Sequence, residues 1–152
     1  EEEELSVILT PYLQKAGIEV NQIDPQWLNQ IFEVLKENLV ILSQMEEYLG
    51  IFFDEKFFFE DGAKAILSDS RNRETLRHVL EVLGASPEIT PEGWPSLQSQ
   101  LEEKTGRKGK ELFSPLRAGI TGKTKGPELA KTIPLIGKER VVRRLKMALE
   151  LS

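Results

Sequence analysis

A dense group of basic residues in the last third of the chain is the feature best suited to binding another molecule. The stretch Lys108–Lys146 carries eleven basic side chains against three acidic ones. Glycines and prolines are spread through the same stretch, where they expose backbone amides and open new helix N-termini. Positive charge beside exposed amides suits phosphate groups and unstacked bases. The stretch therefore predicts binding to a nucleic acid rather than covalent chemistry.

Within this stretch the sequence predicts two helices joined by a tight loop, Lys123–Gly126. We expect Gly122 to end the first helix and Pro127 to occupy the first turn of the second. Backbone amides at the start of the second helix carry partial positive charge, and Lys123 and Lys125 lie beside them in the sequence. This arrangement is suited to holding a phosphate.

Four arginines are the candidates for contacts to bases and backbone. Arg117 follows apolar residues, so its stem can pack while its guanidinium stays free to hold two acceptors or stack on a base. In the last predicted helix, Arg140, Arg143 and Arg144 are expected to share the outer surface at one-turn spacing. An alternative stays open from the residues alone. Ordinary helix caps and a solvated arginine face would produce the same pattern, because basic surfaces are a signal of low specificity.

Catalytic and metal-binding patterns are not found, and we predict neither a catalytic residue nor a metal site. The segment Gly119–Thr124, GITGKT, resembles part of a phosphate-binding loop, but Arg117 stands where that motif requires glycine. The single histidine, His78, lies among apolar residues without partners for catalysis or ligation. Zero cysteines exclude disulfides and thiolate metal sites and fit a reducing compartment.

The elements that must position these residues are predicted to be helices throughout. Apolar residues recur at intervals of three and four, as in the stripe that begins at Trp27 after the cap Asp24-Pro25. Asp69 or Ser70 is expected to cap another helix. The aromatic run Ile51–Phe59 finds no partner strand, so we predict a buried helix junction there. A capping box at Ser43 predicts one more short helix.

The chain is predicted to be all-α, a two-part helical bundle. The proline-rich segment 85–95 is the best linker, and it divides the chain into subdomains 1–90 and 91–152. Residues 1–90 hold 7 Lys and Arg against 18 Asp and Glu, a net charge of −11. Residues 91–152 hold 13 against 7, a net charge of +6, so the second part is the one expected to attract polyanions. No run approaches the roughly 20 apolar residues of a membrane span.

The basic stretch also resembles a known family. PLRAGITGKTKGPEL followed by IPLIGKERVVRRL is similar to the carboxy-terminal end of bacterial glutamyl-tRNA synthetases, which are class I enzymes. The upstream order agrees, with PYLQKAGI, WLNQIFEVLKENLVILSQM and YLGIFF in turn. The resemblance covers essentially the whole chain. It implies the all-helical anticodon-binding portion, without the catalytic domain and its HIGH and KMSKS signatures.

The resemblance also implies roles for individual residues. Arg117, the arginine of the PLR motif, is implied to read an anticodon base, the middle one. An arginine that reads the third base in glutamate-only enzymes is matched here by Asn38. This departure leaves open whether glutamate and glutamine anticodons are discriminated, and an asparagine, which both donates and accepts, would allow a relaxed reading. The loop ahead of the penultimate helix is implied to pack against the anticodon bases, and its residues are Gly126, Pro127, Glu128 and Leu129.

Taken together, these expectations describe a tRNA-binding part of an ATP-dependent glutamate–tRNA ligase. We expect glutamate tRNA, and possibly glutamine tRNA, as the partner, with phosphate contacts from Lys123, Lys125 and the three arginines of the last helix. The full-length enzyme is implied to use ATP and Mg²⁺, whereas this chain alone is expected to be catalytically inactive, monomeric and cytoplasmic, with no cofactor. The alternative is a free-standing helical domain that binds protein or RNA and has no catalytic partner.

Overall fold

Helices make up every regular element that the structure describes. The computed structural model describes residues 13–14, 16–37 and 48–151, and no strand occurs among them. The predicted all-α class is therefore confirmed. A helical turn covers 48–52, and short 3-10 helices lie at Val20–Gln22 and Asp54–Lys56. The α-helices are α1 (Pro25–Glu37), α2 (Asp61–Leu67), α3 (Ser70–Ala85), α4 (Trp94–Thr105), α5 (Lys110–Thr121), α6 (Leu129–Ile136) and α7 (Lys138–Glu150).

The helix ends follow the capping residues of the sequence. The Asp24 carboxylate accepts the backbone N–H of Gln26 at 3.1 Å at the start of α1. The Asp69 carboxylate accepts the N–H of Arg71 at 2.8 Å at the start of α3. Gly106 ends α4 in the left-handed conformation. The predicted caps at Asp24 and Asp69 are confirmed, while the capping box predicted at Ser43 lies outside the described residues.

Helix α3 is the centre of the bundle, and α4, α5 and α7 all pack against it. Helix α1 packs on α6, where the Trp27 indole donates to the Leu135 carbonyl at 3.0 Å. Buried side chains from both sides of residue 90 belong to one connected apolar core. The division into subdomains 1–90 and 91–152 stays a prediction. No helix among the described residues is long and apolar enough to cross a membrane.

Helix α5 continues through Pro115. A proline has no N–H, so the carbonyl four residues earlier, that of Glu111, loses its helical donor. The Arg107 guanidinium donates to this carbonyl at 3.2 Å. Pro134 lies in the last turn of α6, as its chemistry predicts. A basic side chain thus supplies the donor that Pro115 cannot provide within the helix that carries Arg117.

The segment 51–60, which we call the aromatic segment, differs from the predicted buried helix junction. Its first three residues are buried, but a 3-10 turn follows and residues 57–60 have no helical structure. Phe57 has the extended backbone angles φ −69° and ψ 133°. Because successive side chains of extended backbone point to opposite sides, Phe58 faces solvent while Phe57 and Phe59 are half-buried. The prediction of burial is wrong for Phe58.

Candidate nucleic-acid interface

The turn between α5 and α6 is held against the aromatic segment by backbone contacts. Gly122 ends α5 with φ +75°, a conformation that favours glycine. Its carbonyl accepts the N–H of Glu60 at 2.8 Å. A Cβ atom on Gly122 would lie 2.1 Å from the carbonyl oxygen of Phe58, so no side chain fits there. The predicted helix end at Gly122 is confirmed. The prediction that Pro127 lies in the first turn of the next helix is wrong, because Glu128 still has a non-helical ψ of 126° and α6 begins at Leu129.

Arg117 reaches from α5 across this turn to the start of α6. Its side chain is half-buried, and one guanidinium nitrogen donates to the Pro127 carbonyl at 2.9 Å. A Cβ atom on Gly126 would lie 3.2 Å from that nitrogen, so the missing side chain makes room for the guanidinium. Burial lowers the pKa of Arg117, and the neighbouring Tyr48 opposes this effect. No other hydrogen bond joins the Arg117 guanidinium to described residues, and its remaining N–H groups are further donors.

A cleft of about 340 Å³ opens beside Arg117. Its volume lies at the small end of ligand pockets, which measure about 300–1,000 Å³. Trp94 and Phe113 supply aromatic surface, and Arg117 and Glu128 supply a hydrogen-bond donor and an acceptor. The complete lining is Trp94, Gln98, Phe113, Arg117, Glu128, Leu129 and Ala130. A flat ring with polar edges fits this combination of surfaces.

The structure brings together the predicted residues of the loop and of the PLR motif. Glu128 is exposed and Leu129 is buried, and both line the cleft with Arg117. Pro127 is buried and Gly126 is half-buried, each in contact with the arginine as described above. Asn38 lies outside the described residues.

Sequence reasoning missed Trp94 and Gln98 as cleft residues. They lie on α4, and the spacing of Trp94 with Leu97 and Leu101 indicates only a core-facing helix. Trp94 is indeed 2% exposed, and its Nε1 has no hydrogen-bond partner in the described part of the chain. No local signal in the sequence reveals that this core face borders the α5–α6 turn.

Lys123, predicted with Lys125 as a phosphate contact, lies inside the protein. Only 3% of the residue is exposed, because its side chain folds back onto the aromatic segment. The ammonium lies 3.5 Å from the Glu60 carboxylate and 5.0 Å from the centre of the Phe58 ring. Lys125 is exposed, and none of the ion pairs between described residues involves it. Of the two lysines predicted to contact phosphate, the structure leaves Lys125 exposed and buries Lys123.

Arg144 is also placed differently from the prediction. It is 1% exposed and donates to the carbonyls of Ile51 at 2.5 Å and Ile120 at 3.0 Å. A third bond joins it to the Asp54 carboxylate at 3.2 Å, and its guanidinium lies 4.1 Å from the centre of the Phe57 ring. The pKa of Arg144 is lowered to about 10, because the effect of burial exceeds the opposing effect of Asp54. The guanidinium therefore stays charged at neutral pH. The predicted outer position is wrong because these acceptors hold the charge inside.

The other two arginines of α7 share the same carboxylate. Arg143 donates to Asp54 at 3.0 Å and its side chain is 55% exposed. Arg140 lies 3.5 Å from Asp54, and its guanidinium stacks 5.2 Å from the centre of the Trp27 ring. Both are therefore partly exposed, as predicted, but each already has an anionic neighbour. We call Arg140, Arg143, Arg144 and Asp54 the arginine cluster.

No group of three or more acidic or histidine side chains in the described ranges is arranged to hold a metal ion. His78 is half-buried at a cleft that includes Arg71 and Arg107, and its Nδ1 has no partner among described residues.

Comparisons with known proteins agree on one relationship. A family model described as "Anticodon binding domain" matches residues 4–149. The chain is 34% identical over 139 residues to a glutamate–tRNA ligase of Bacillus subtilis, covering 90% of this chain and 29% of that protein. It is 33% identical over 144 residues to glutamate–tRNA ligase 2 of Syntrophus aciditrophicus, covering 95% of this chain and 30% of that protein.

A solved structure shows the same fold. It is the crystal structure of a glutamate tRNA ligase from Elizabethkingia meningosepticum in complex with its amino acid, with a TM-score of 0.77 at 19% identity. The match covers 98% of this chain and 29% of that one. The chain thus spans about 30% of the length of the curated relatives that it matches.

Proposed function

This chain belongs to the anticodon-binding domain family, and on that premise we propose that it binds the anticodon loop of a tRNA as part of a longer glutamate–tRNA ligase. The observation that carries the proposal is the way in which the Arg117 guanidinium is held at the cleft. One hydrogen bond fixes its guanidinium beside a cleft, and its remaining donors are free for a ligand. A fixed donor with unused N–H groups is what reading a base edge requires.

The chemistry of the cleft favours an unpaired pyrimidine. Glutamate codons have adenine in the middle, so the middle base of the anticodon is uracil, whose edge carries an N–H donor between two carbonyl acceptors. Arg117 and the exposed Glu128 both line the cleft, so the proposal assigns Arg117 as donor to a carbonyl of the base and Glu128 as acceptor of its N–H. Aromatic side chains such as Phe113 offer a surface on which the ring can stack. We propose that the middle base binds in this cleft.

Phosphate contacts are proposed for the side chains that keep their charge in solvent. Lys125 is exposed on the turn, four residues before the first residue of α6, whose backbone amides carry partial positive charge. Arg140 and Arg143 are proposed as weaker contacts, because Asp54 already neutralises part of their charge. Lys123 and Arg144 are assigned to holding the turn in place instead.

The remaining steps of the reaction are proposed for the part of the ligase outside this chain. ATP, Mg²⁺ and glutamate would bind there, so we expect this chain alone to be inactive. Glutamine anticodons differ from glutamate ones at the third base, guanine in place of cytosine. We propose that Asn38 contacts this base, and that an asparagine, which both donates and accepts, tolerates either.

A double-mutant cycle tests the proposal. Fluorescence anisotropy at one fixed salt concentration compares a glutamate anticodon stem–loop with a version carrying cytosine at the middle position, for the wild-type chain and Arg117→Ala. We expect the arginine variant to lose about 1–3 kcal/mol of binding to the cognate loop and to lose the discrimination between the two loops. An equal loss for both loops would reduce Arg117 to a phosphate contact and overturn the assignment.

A further inference from the structure

Phe58 is exposed in a way that the fold alone does not explain. It is 57% exposed, the highest value for a large apolar side chain in the described part of the chain. Single exposed apolar residues are common and need no explanation by themselves. Phe58 differs because its neighbours fix it in place and because it lies beside the α5–α6 turn.

The backbone on both sides of Phe58 is anchored. The Phe57 ring lies under the Arg144 guanidinium and meets the Phe59 ring edge to face, with centres 5.1 Å apart. On the other side, the N–H of Glu60 donates to the Gly122 carbonyl at 2.8 Å. A ring mounted on fixed backbone loses little conformational freedom when it binds a partner.

One face of the Phe58 ring is covered from the protein side. The buried Lys123 ammonium lies 5.0 Å from the ring centre and is held by Glu60. Lys123 is almost fully buried, so the side of Phe58 that it contacts belongs to the protein interior. The exposed part of Phe58 is the part that Lys123 does not contact. The ring is therefore contacted by Lys123 from the protein side, while more than half of the residue remains exposed to solvent.

The position of this ring connects it to the cleft. The Phe58 carbonyl packs against Gly122, and Gly126, four residues on, contacts Arg117. Four residues span at most about 14 Å, at about 3.5 Å per residue. Gly122 and Gly126 are therefore at most about 14 Å apart, a separation that the nucleotides of one RNA loop can span.

We propose that Phe58 is a stacking platform for a second unpaired base of the same RNA loop, separate from the base read by Arg117. The proposal rests on the proposed function, because it requires an RNA loop at the turn. Aromatic side chains stack with any base, so the platform contributes affinity with little sequence preference. Stacking of one base is worth about 1–3 kcal/mol, which corresponds to about 5- to 150-fold in affinity.

The test uses four variants and the glutamate anticodon stem–loop, with affinity measured by fluorescence anisotropy at fixed salt. We expect Phe58→Ala and Phe58→Leu to weaken binding about 5- to 150-fold and Phe58→Tyr to retain it, because only tyrosine keeps the aromatic face. Met147→Ala is the matched control, since Met147 is also exposed, at 41%, but lies on α7. It is expected to bind as the wild type does.

Stem–loops with 2-aminopurine at successive loop positions give a second readout. The fluorescence of this base falls on stacking, and we expect one position to be quenched by the wild-type chain and by Phe58→Tyr, but not by Phe58→Ala. Wild-type affinity in Phe58→Ala, or equal affinity in Phe58→Leu and the wild type, would overturn the stacking proposal alone. Absence of binding by the wild-type chain would overturn the proposed function as well.

Discussion

Arg117 and Arg144 differ in what the protein offers their charge, although both lie on helices that face the core and burial lowers the pKa of both. Arg144 has two carbonyls, a carboxylate and an aromatic ring as partners. Arg117 has a single carbonyl and borders an open cleft. The difference shows that the number of acceptors inside the protein decides whether a guanidinium holds the fold together or remains available to a ligand.

The acidic segment 1–90 supplies many of the acceptors for basic side chains that lie after residue 90. Asp54 pairs with the three arginines of α7, and Glu60 pairs with Lys123. Lys138 likewise donates to the Ser86 carbonyl. Many of the basic side chains after residue 90 therefore already contact residues of the segment 1–90. Charge density in a sequence overstates the charge that a partner meets.

Removing Arg144 is expected to have the largest effect on stability. Arg144→Ala leaves two buried carbonyls without their donor and removes the group packed on Phe57, which we expect to cost about 3–5 kcal/mol of unfolding free energy. Urea unfolding followed by circular dichroism measures the loss. Arg143→Ala, which removes an exposed partner of the same carboxylate, is the control and should cost at most about 1 kcal/mol. Similar small losses in both variants would show that the buried Arg144 contributes no more to the free energy of unfolding than the exposed Arg143 does.

Gly122→Ala is expected to break the contact between the turn and the aromatic segment. Gly106→Ala is the matched control, because both glycines end helices with positive φ but only Gly122 has an atom in the way of a Cβ. Each substitution should cost about 1–2 kcal/mol for the left-handed backbone. Gly122→Ala should cost about 1–3 kcal/mol more for the clash. The same unfolding experiment separates them, and equal losses would contradict the close packing at Phe58.

Arg117→Ala is expected to weaken RNA binding more than it lowers stability. It removes one hydrogen bond to Pro127, so the unfolding free energy should fall by only about 1 kcal/mol. The RNA affinity should fall by the larger amount given above. Unfolding and binding are measured on the same preparation. A stability loss as large as that of Arg144→Ala, with unchanged binding, would make Arg117 a structural residue.

The two lysines of the turn allow the finest comparison. Lys125→Ala should lower the slope of log affinity against log salt by about one, because an exposed ammonium at a phosphate releases one counterion. Lys123→Ala should leave the slope unchanged, because its charge is already paired with Glu60. Titrations of the stem–loop at several salt concentrations measure both slopes. Equal slopes for the two variants would show that burial does not decide which charges meet the RNA.

Local chemistry made most of the fold and part of the site predictable. Capping residues such as Asp69 and Gly122 act within a few residues of themselves, so the sequence reveals them. Arg117 was found because its neighbours on one helix face are apolar. Each of these signals depends on residues within about one or two helical turns.

The wrong predictions come from contacts between distant residues. Arg144 meets Asp54 across 90 positions, and Lys123 meets Glu60 across 63. One signal was present: the inward positions Val141, Leu145 and Ala148 have the spacing that also includes Arg144. The prediction placed Arg144 on the outer surface because it is charged, although its spacing puts it on the apolar face of α7. Trp94 and Gln98 became cleft residues only through packing of α4 near the turn, which no local pattern encodes.

Amide and arginine side-chain NMR shifts, recorded while the anticodon stem–loop is titrated into the labelled chain, test the central claim most directly. The account predicts that the largest changes occur at Arg117, at Gly126–Leu129 and at Lys125, with little change at the buried Arg144. Changes concentrated on the arginine cluster of α7, with Arg117 and the turn unaffected, would contradict it.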